Sequence, residues 1–484
     1  MPPTPDDPST VKVIPIVPAP PDPPPPGETR SLYEAHQKLY PRSVSGRFAS
    51  WRWAFVFLTQ LVFYGLPWLQ WGERQAVLFD LAARRFYLFG YVLYPQDFIY
   101  LTGLLVISAL SLFLFTAVAG RLWCGFACPQ TVYTEIFLWI ERRLEGDRTA
   151  RMKLDAGPWT GEKFLRKGGK HLAWLLLALW TGTTFVGYFT PIHELGRELI
   201  ALRMGSWEIF WVLFYAFATW GNAGFLREQV CKYMCPYARF QSAMFDKDTL
   251  IVSYDAGRGE PRGARSRKTD YRAAGLGACV DCTLCVQVCP TGIDIRKGLQ
   301  YECIGCAACV DVCDGVMDKL GYPRGLIRFT TQNALAEGWT GRALLRRVLR
   351  PRVLVYTAIL GAIALALAMS LALRTPLKVD VVRDRAALAR IVAGGHIENV
   401  YRLQIMNATE QAQTYRIEVE GLPGLVVASD ARFEVGPAQS RWVAVRLQLP
   451  YGGAEPGSHP IRFLVGTASG DAHVSEKAVF LMPR

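Results

Sequence analysis

Residues 278–315 read ACVDCTLCVQVCPTGIDIRKGLQYECIGCAACVDVCDG. Cys279, Cys282, Cys285 and Cys289 fall as C-x2-C-x2-C-x3-C before Pro290, and Cys303, Cys306, Cys309 and Cys313 repeat that spacing. Four further cysteines stand in two shorter elements, WCGFACPQ at 123–130 and VCKYMCPY at 230–237, each a Cys-x-x-x-Cys-Pro after a long apolar run. These twelve are all the cysteines of the 484-residue chain. A reducing compartment disfavours structural disulfides, so clusters of this kind there are metal or redox sites.

Four thiolates per iron–sulfur cubane is the chemical need, and in two-cluster ferredoxins the fourth cysteine of each run ligates the other cluster. The spacing therefore predicts one [4Fe–4S] cluster on Cys279, Cys282, Cys285 and Cys313, and a second on Cys303, Cys306, Cys309 and Cys289. Zinc is the competing reading of paired C-x2-C elements, and two full copies of the ferredoxin spacing argue against it. Asp314 stands where bacterial ferredoxins carry proline, which predicts a weaker turn after Cys313 and removes no ligand.

Outside this insert the chain is rich in apolar segments: 51% of its residues are hydrophobic and 12% aromatic. Five runs carry almost no charge over the length of a bilayer-crossing helix: Trp53–Trp71, Phe98–Gly120, Leu172–Ile192, Ile209–Leu226 and Val353–Leu373. A five-helix integral membrane protein is expected. The connection from Arg121 to Lys170 carries ten Lys or Arg and the segment from Arg227 to Arg352 twenty, whereas the other short loops carry few. The positive-inside rule then places the N-terminus and the cysteine-rich insert in the cytoplasm, and the C-terminal region in the periplasm of a Gram-negative inner membrane. The net charge of +13 follows from that topology and from anionic lipid. Nucleic acid is not expected as a partner. With no Walker loop or GxGxxG element, nucleotide chemistry has no support either.

Five regions result. Residues 1–30 are a proline-rich tail, expected to be disordered and lacking the apolar core of a signal peptide. Residues 31–230 hold four helices and begin with a basic, aromatic stretch suited to the membrane surface. Residues 231–345 hold the ferredoxin-like insert, 346–376 the fifth helix, and 377–484 an exported domain. In that last region NVYRLQIMN, TYRIEVEG, RWVAVRLQLP, HPIRFLVGT and EKAVFLMP alternate apolar and polar residues between turn-forming segments, as expected of an immunoglobulin-like β-sandwich. It carries no cysteine, and a docking module is its simplest reading.

The two Cys-x-x-x-Cys-Pro elements are predicted to lie at one membrane depth. Proline is favoured as the first residue of a helix, so Cys128 and Cys235 are expected as N-caps of new helices. The positive helix ends, with Arg121, Lys232 and Arg239 nearby, should favour thiolates. Cys124, Cys128, Cys231 and Cys235 together would make a soft site suited to Cu(I). A redox dithiol, a further iron–sulfur cluster and plain packing are the open alternatives. His193, at the outer end of the third apolar run, reads as an interfacial histidine, and His171 at the inner end as one that snorkels.

KLYPRSVSGRF, RLWCGFACPQTVYTEIFLWIERRLEG, VCKYMCPYARFQSAMFDKDTLIVSYD, the eight-cysteine insert and the sandwich make the chain resemble the cytochrome c oxidase accessory protein family, called CcoG, FixG or RdxA. Asp314 fits that family's pattern. The resemblance implies a role in assembling the copper centre of cbb-type oxidases by reducing Cu(II) to Cu(I), with two cubanes passing electrons toward Cys124, Cys128, Cys231 and Cys235. It also implies oxidase assembly factors and copper transporters or chaperones as partners. A quinol-linked electron relay and a non-enzymatic copper chaperone or scaffold are the alternatives, and the electron donor and a homodimer stay open.

Overall fold

A computed structural model describes residues 38–266, 270–339, 341–384, 388–468, 470 and 472–483. The proline-rich tail lies outside the described residues. The chain divides into two compact units, one of residues up to Pro67 with Leu104–Gly187 and Ile192–Ile363, the other of Trp68–Gly103, Tyr188–Pro191 and Ala364–Arg484.

The main helices in chain order are α1 (Arg47–Gly65), α2 (Phe98–Ala119), α3 (Leu122–Phe126), α4 (Pro129–Glu145), α5 (Arg148–Ala156), α6 (Gly161–Val186), α7 (Ile192–Ile200), α8 (Ser206–Gly221), α9 (Pro236–Met244), α10 (Ala308–Leu320) and α11 (Pro351–Ala372), with further short helices and turns between them. Among the described residues, three stretches are long and apolar enough to cross a membrane: Pro95–Ala119, Ser206–Leu226 and Pro351–Ala372. The first and third expected runs need correction. The helix over Trp53–Trp71 ends at Gly65, and Gln70–Trp71 is already a strand. The third run belongs to α6, which begins at Gly161 inside the basic stretch and stops at Val186, while Ile192 opens α7. Lys163 and Lys170 are buried in that first half of α6, so charge does not end the helix there.

In the first unit, the insert is closed by an antiparallel ladder in which Ile251 pairs Thr330 and Tyr254 pairs Ile327. Its root is held at the end of α2. Leu250 N–H donates to Val118 O at 3.0 Å, Thr249 Oγ1 to Ala117 O at 3.1 Å, and Arg350 Nη2 to the same carbonyl at 2.6 Å. The stretch before α1 is tied into the protein rather than merely resting at the membrane surface. Lys38 and Tyr40 both reach Asp155 at 2.6 Å, Ser43 N–H donates to Asp147, and Arg42 N–H donates to Gln287 O. Asp311, in the second cysteine run, accepts from Phe48 N–H at 3.1 Å and Ala49 N–H at 2.7 Å. An anionic acceptor at the positive end of a helix satisfies its orphan donors. Only glycine fits at 46, where a Cβ would lie 2.5 Å from Asp311 Cγ.

The second unit is a two-sheet sandwich. One sheet orders its strands 426–427, 440–450, 396–407 and 377–383, with 390–392 alongside 396–398; the other orders 432–435, 413–420, 457–467 and 473–482. All pairings are antiparallel. Its core includes Tyr401, Leu403, Ile405, Ile417, Leu447 and Phe463. The connection before α2, read in the sequence only as a weakly charged loop, is folded. Val77–Asp80, Arg85–Leu88 and Tyr91–Leu93 form a small sheet. Leu78, Tyr87, Val92 and Tyr94 pack against Met406 and Ala438 of the sandwich, and Tyr94 Oη donates to Asn407 O at 3.0 Å.

Candidate functional site

Both cysteine runs wrap cavities. Cys279, Cys282, Cys285 and Cys313 line one, and Cys289, Cys303, Cys306 and Cys309 line the next, with Cys285 bordering both. The two loops share an uncommon backbone. Asp281 and Thr283 have φ of 51° and 55°, and their counterparts Gly305 and Ala307 have 68° and 57°. Three of these four carry side chains, for which left-handed backbone is costly. Twice the same strain, at the same offsets from the cysteines, is what a loop wrapped around a compact inorganic core requires. The residues present therefore fit two cubanes. Asp314 does not weaken a turn after Cys313, because Cys313 lies in mid-helix on α10. Its carboxylate instead accepts from Gly325 N–H at 2.9 Å.

Cys128 and Cys235 are N-caps with extended backbone, each followed by proline at the first position of α4 and α9. The segment Val230–Met234 is a π-turn, a form that often marks functional sites. The structure brings Cys124, Cys128, Cys231 and Cys235 within electrostatic reach of one another. Among the described residues, no group of three or more His, Cys, Asp or Glu closes to the spacing of a single-ion site. The thiolate expectation is corrected at Cys124, Cys128 and Cys231. Burial, then neighbouring Cys128, pushes the Cys124 thiol up to about 11. Burial and the same neighbour push Cys231 up to about 12, and burial raises Cys128 as well. At Cys128 loss of hydration outweighs the helix end. Cys124 Sγ instead donates to Gln241 Oε1 at 3.4 Å.

The membrane-edge cysteines abut the second cysteine loop. At Gly125, between Cys124 and Cys128, a Cβ would fall 2.7 Å from Cys306 Cα and 2.8 Å from Cys306 N. Cys124 and Cys231 pack with Cys306 in one apolar cluster. Arg121, 6% exposed, donates to Tyr301 O and to Ala238 O. The sequence singled out Arg121 only as a nearby charge; its bridging of three segments depends on contacts far apart in the chain. His171 does not snorkel: it packs among Trp174, Trp220 and Phe225. His193 lies on α7.

Apolar helices, two cubane-shaped cysteine loops and a sandwich define a membrane-associated iron–sulfur electron-transfer protein. Family models match residues 101–146 as a 4Fe-4S binding domain, 226–332 as a 4Fe-4S dicluster domain and 367–483 as the "IG-like fold at C-terminal of FixG". The nitrogen fixation protein FixG of Rhizobium meliloti is 40% identical, with 81% of each chain covered. Protein RdxB of Cereibacter sphaeroides is 42% identical over 84% of this chain and 88% of its own length. Protein RdxA of the same organism is 38% identical over 89% and 92%. The chain belongs to the FixG/RdxA family.

Proposed function

We propose that the chain is a multi-pass inner-membrane oxidoreductase that reduces Cu(II) to Cu(I) for assembly of a cbb-type cytochrome c oxidase. In this reading α1, α2, α6, α8 and α11 cross the bilayer, the insert is cytoplasmic and the sandwich periplasmic. The observation that carries it is the fit of Gly125 against the backbone of Cys306, which seats the Cys124–Cys128 element directly on the second cysteine loop, where Cys231 also packs. Cys279, Cys282, Cys285 and Cys313 would hold one cubane, and Cys303, Cys306, Cys309 and Cys289 the other. When bound, cubanes supply one-electron transfer. Cys124, Cys128, Cys231 and Cys235 offer the substrate soft sulfur, which favours copper in its reduced state. Each Cu(II) takes one electron and leaves as Cu(I). Assembly factors or copper carriers would dock on the cysteine-free sandwich.

The test mixes chemically reduced, anaerobic protein with Cu(II) while a chelator reports Cu(I). Cluster reoxidation without Cu(I) would discard the reading. Cu(I) formation unchanged in a Cys→Ala variant of the four membrane-edge cysteines would remove their part in it.

A second reading, quinol-linked electron relay, is favoured by one feature. A cavity of about 340 Å³, lined by Phe48, Trp51, Phe55, Phe115, Trp123 and Phe126 among others, adjoins α3. Cluster reduction by an added quinol would support it.

A further inference from the structure

The geometry points to Arg121 as the uncompensated cation that raises the reduction potential of the cluster on Cys289, Cys303, Cys306 and Cys309, so that electrons collect beside the membrane-edge cysteines. This rests on the cluster reading above.

Arg121 is the N-cap of α3 and is almost fully buried. Its guanidinium donates to two backbone carbonyls, of Tyr301 and Ala238, and lies 4.9 Å from the centre of the Tyr301 ring. Those partners are neutral. Among the described residues, no carboxylate forms an ion pair with it. Its backbone meets the second loop directly: a Cβ on Gly305 would sit 3.2 Å from Arg121 C and O. Arg121, Gly305 and Cys303 line one small cavity. The same positive charge acts on Cys303, Cys124 and Cys231. A cation taken out of water without an anion is expensive. A four-thiolate cubane is anionic and gains one further negative charge on reduction, so it is the missing partner. Because a nearby cation stabilises the reduced form more than the oxidised one, it raises the potential.

The other cluster provides an internal contrast. Arg296 lines its cavity, but that guanidinium is bound by Asp294 at 2.8 Å through both Nε and Nη2, and by Asp281. Two carboxylates cancel its charge. Of the two clusters, the one beside Arg121 is therefore the electron sink: transfer oxidises the first and reduces the second by one electron.

Anaerobic potentiometric titration of the full chain in detergent, followed by EPR and with iron content measured in parallel, tests this. The wild type should show two resolved reduction waves. Arg121→Gln should move the higher wave to more negative potential and leave the lower one in place. Arg121→Lys, which keeps the charge but not the two-carbonyl geometry, should restore most of the shift, and Arg296→Gln should leave the higher wave unmoved. A single wave in the wild type overturns the proposal. So does an iron-replete Arg121→Gln with both waves unmoved, or an Arg121→Lys as low as Arg121→Gln. If Arg121→Gln loads no second cluster, the wild-type separation and the Lys variant decide. Wild-type protein without cubane signals would instead end the underlying cluster reading.

Discussion

Gly125→Ala is the sharpest perturbation of the junction between the two cysteine sites. The new methyl would meet Cys306 Cα at 2.7 Å, Cys306 N at 2.8 Å and Gly305 C at 2.9 Å, where ordinary contact begins at 3.4 Å. All three are backbone atoms, so no rotamer change relieves the clash; α3 or the second cysteine loop must retreat by about 0.7 Å. Overpacking of this kind costs about 1–3 kcal/mol. The upper end is expected, because the opposing loop already holds left-handed backbone at Gly305 and Ala307. Gly168→Ala is the matched control: it lies inside α6 with nothing within 4 Å of its Cβ position, and alanine should stabilise it by up to about 1 kcal/mol. Thermal unfolding in detergent measures the stability difference, and stopped-flow reoxidation of the reduced protein by Cu(II) measures transfer across the junction. Gly125→Ala should be the less stable variant and reoxidise more slowly. If it matches Gly168→Ala in both, the close approach and the electron path built on it are refuted.

Asp311→Ala should free the N-terminus of α1 from the insert at a cost of about 1–2 kcal/mol, seen as faster proteolysis ahead of Arg47; an unchanged cleavage rate would rule out the clamp. Burial alone would raise the Asp155 carboxyl, but hydrogen bonds from Lys167, Lys38 and Tyr40 outweigh it and hold the group well below the usual carboxylate range. Its stabilisation is therefore present above the unfolded value near 4 and is lost as pH falls below that. Asp155→Asn should lower the melting temperature at neutral pH and differ less from wild type toward pH 3; a pH-independent difference would contradict this assignment. Tyr94→Phe removes the donor to Asn407 O and should cost about 1 kcal/mol, read by hydrogen exchange at Val77–Leu93; unaltered protection there would show that the hydroxyl holds nothing.

The sandwich was legible in the sequence. The five sandwich segments alternate apolar and polar residues, and that period of two writes a half-buried strand locally. The connection Leu69–Asp97 was not legible. Its strands are two to four residues long, too short for periodicity to register, and their burial comes from Met406 and Ala438, more than 300 positions away. The ends of α1 and α6 escaped for a related reason: hydropathy reports what lipid or core tolerates, whereas helix limits follow backbone hydrogen bonds and caps.

The number of cysteines, their spacing and the prolines after Cys128 and Cys235 are covalent facts, and they alone determined the chemistry available to the chain and the helix starts at α4 and α9. Proximity was decided only by the tertiary structure. Gly125 against Cys306, Asp311 at the head of α1 and Arg121 between Tyr301 and Ala238 each join residues more than a hundred positions apart. The raised thiols of Cys124, Cys128 and Cys231 belong to the same class. At Cys128 the helix end favours a thiolate, and burial, which only the packed chain supplies, reverses that preference.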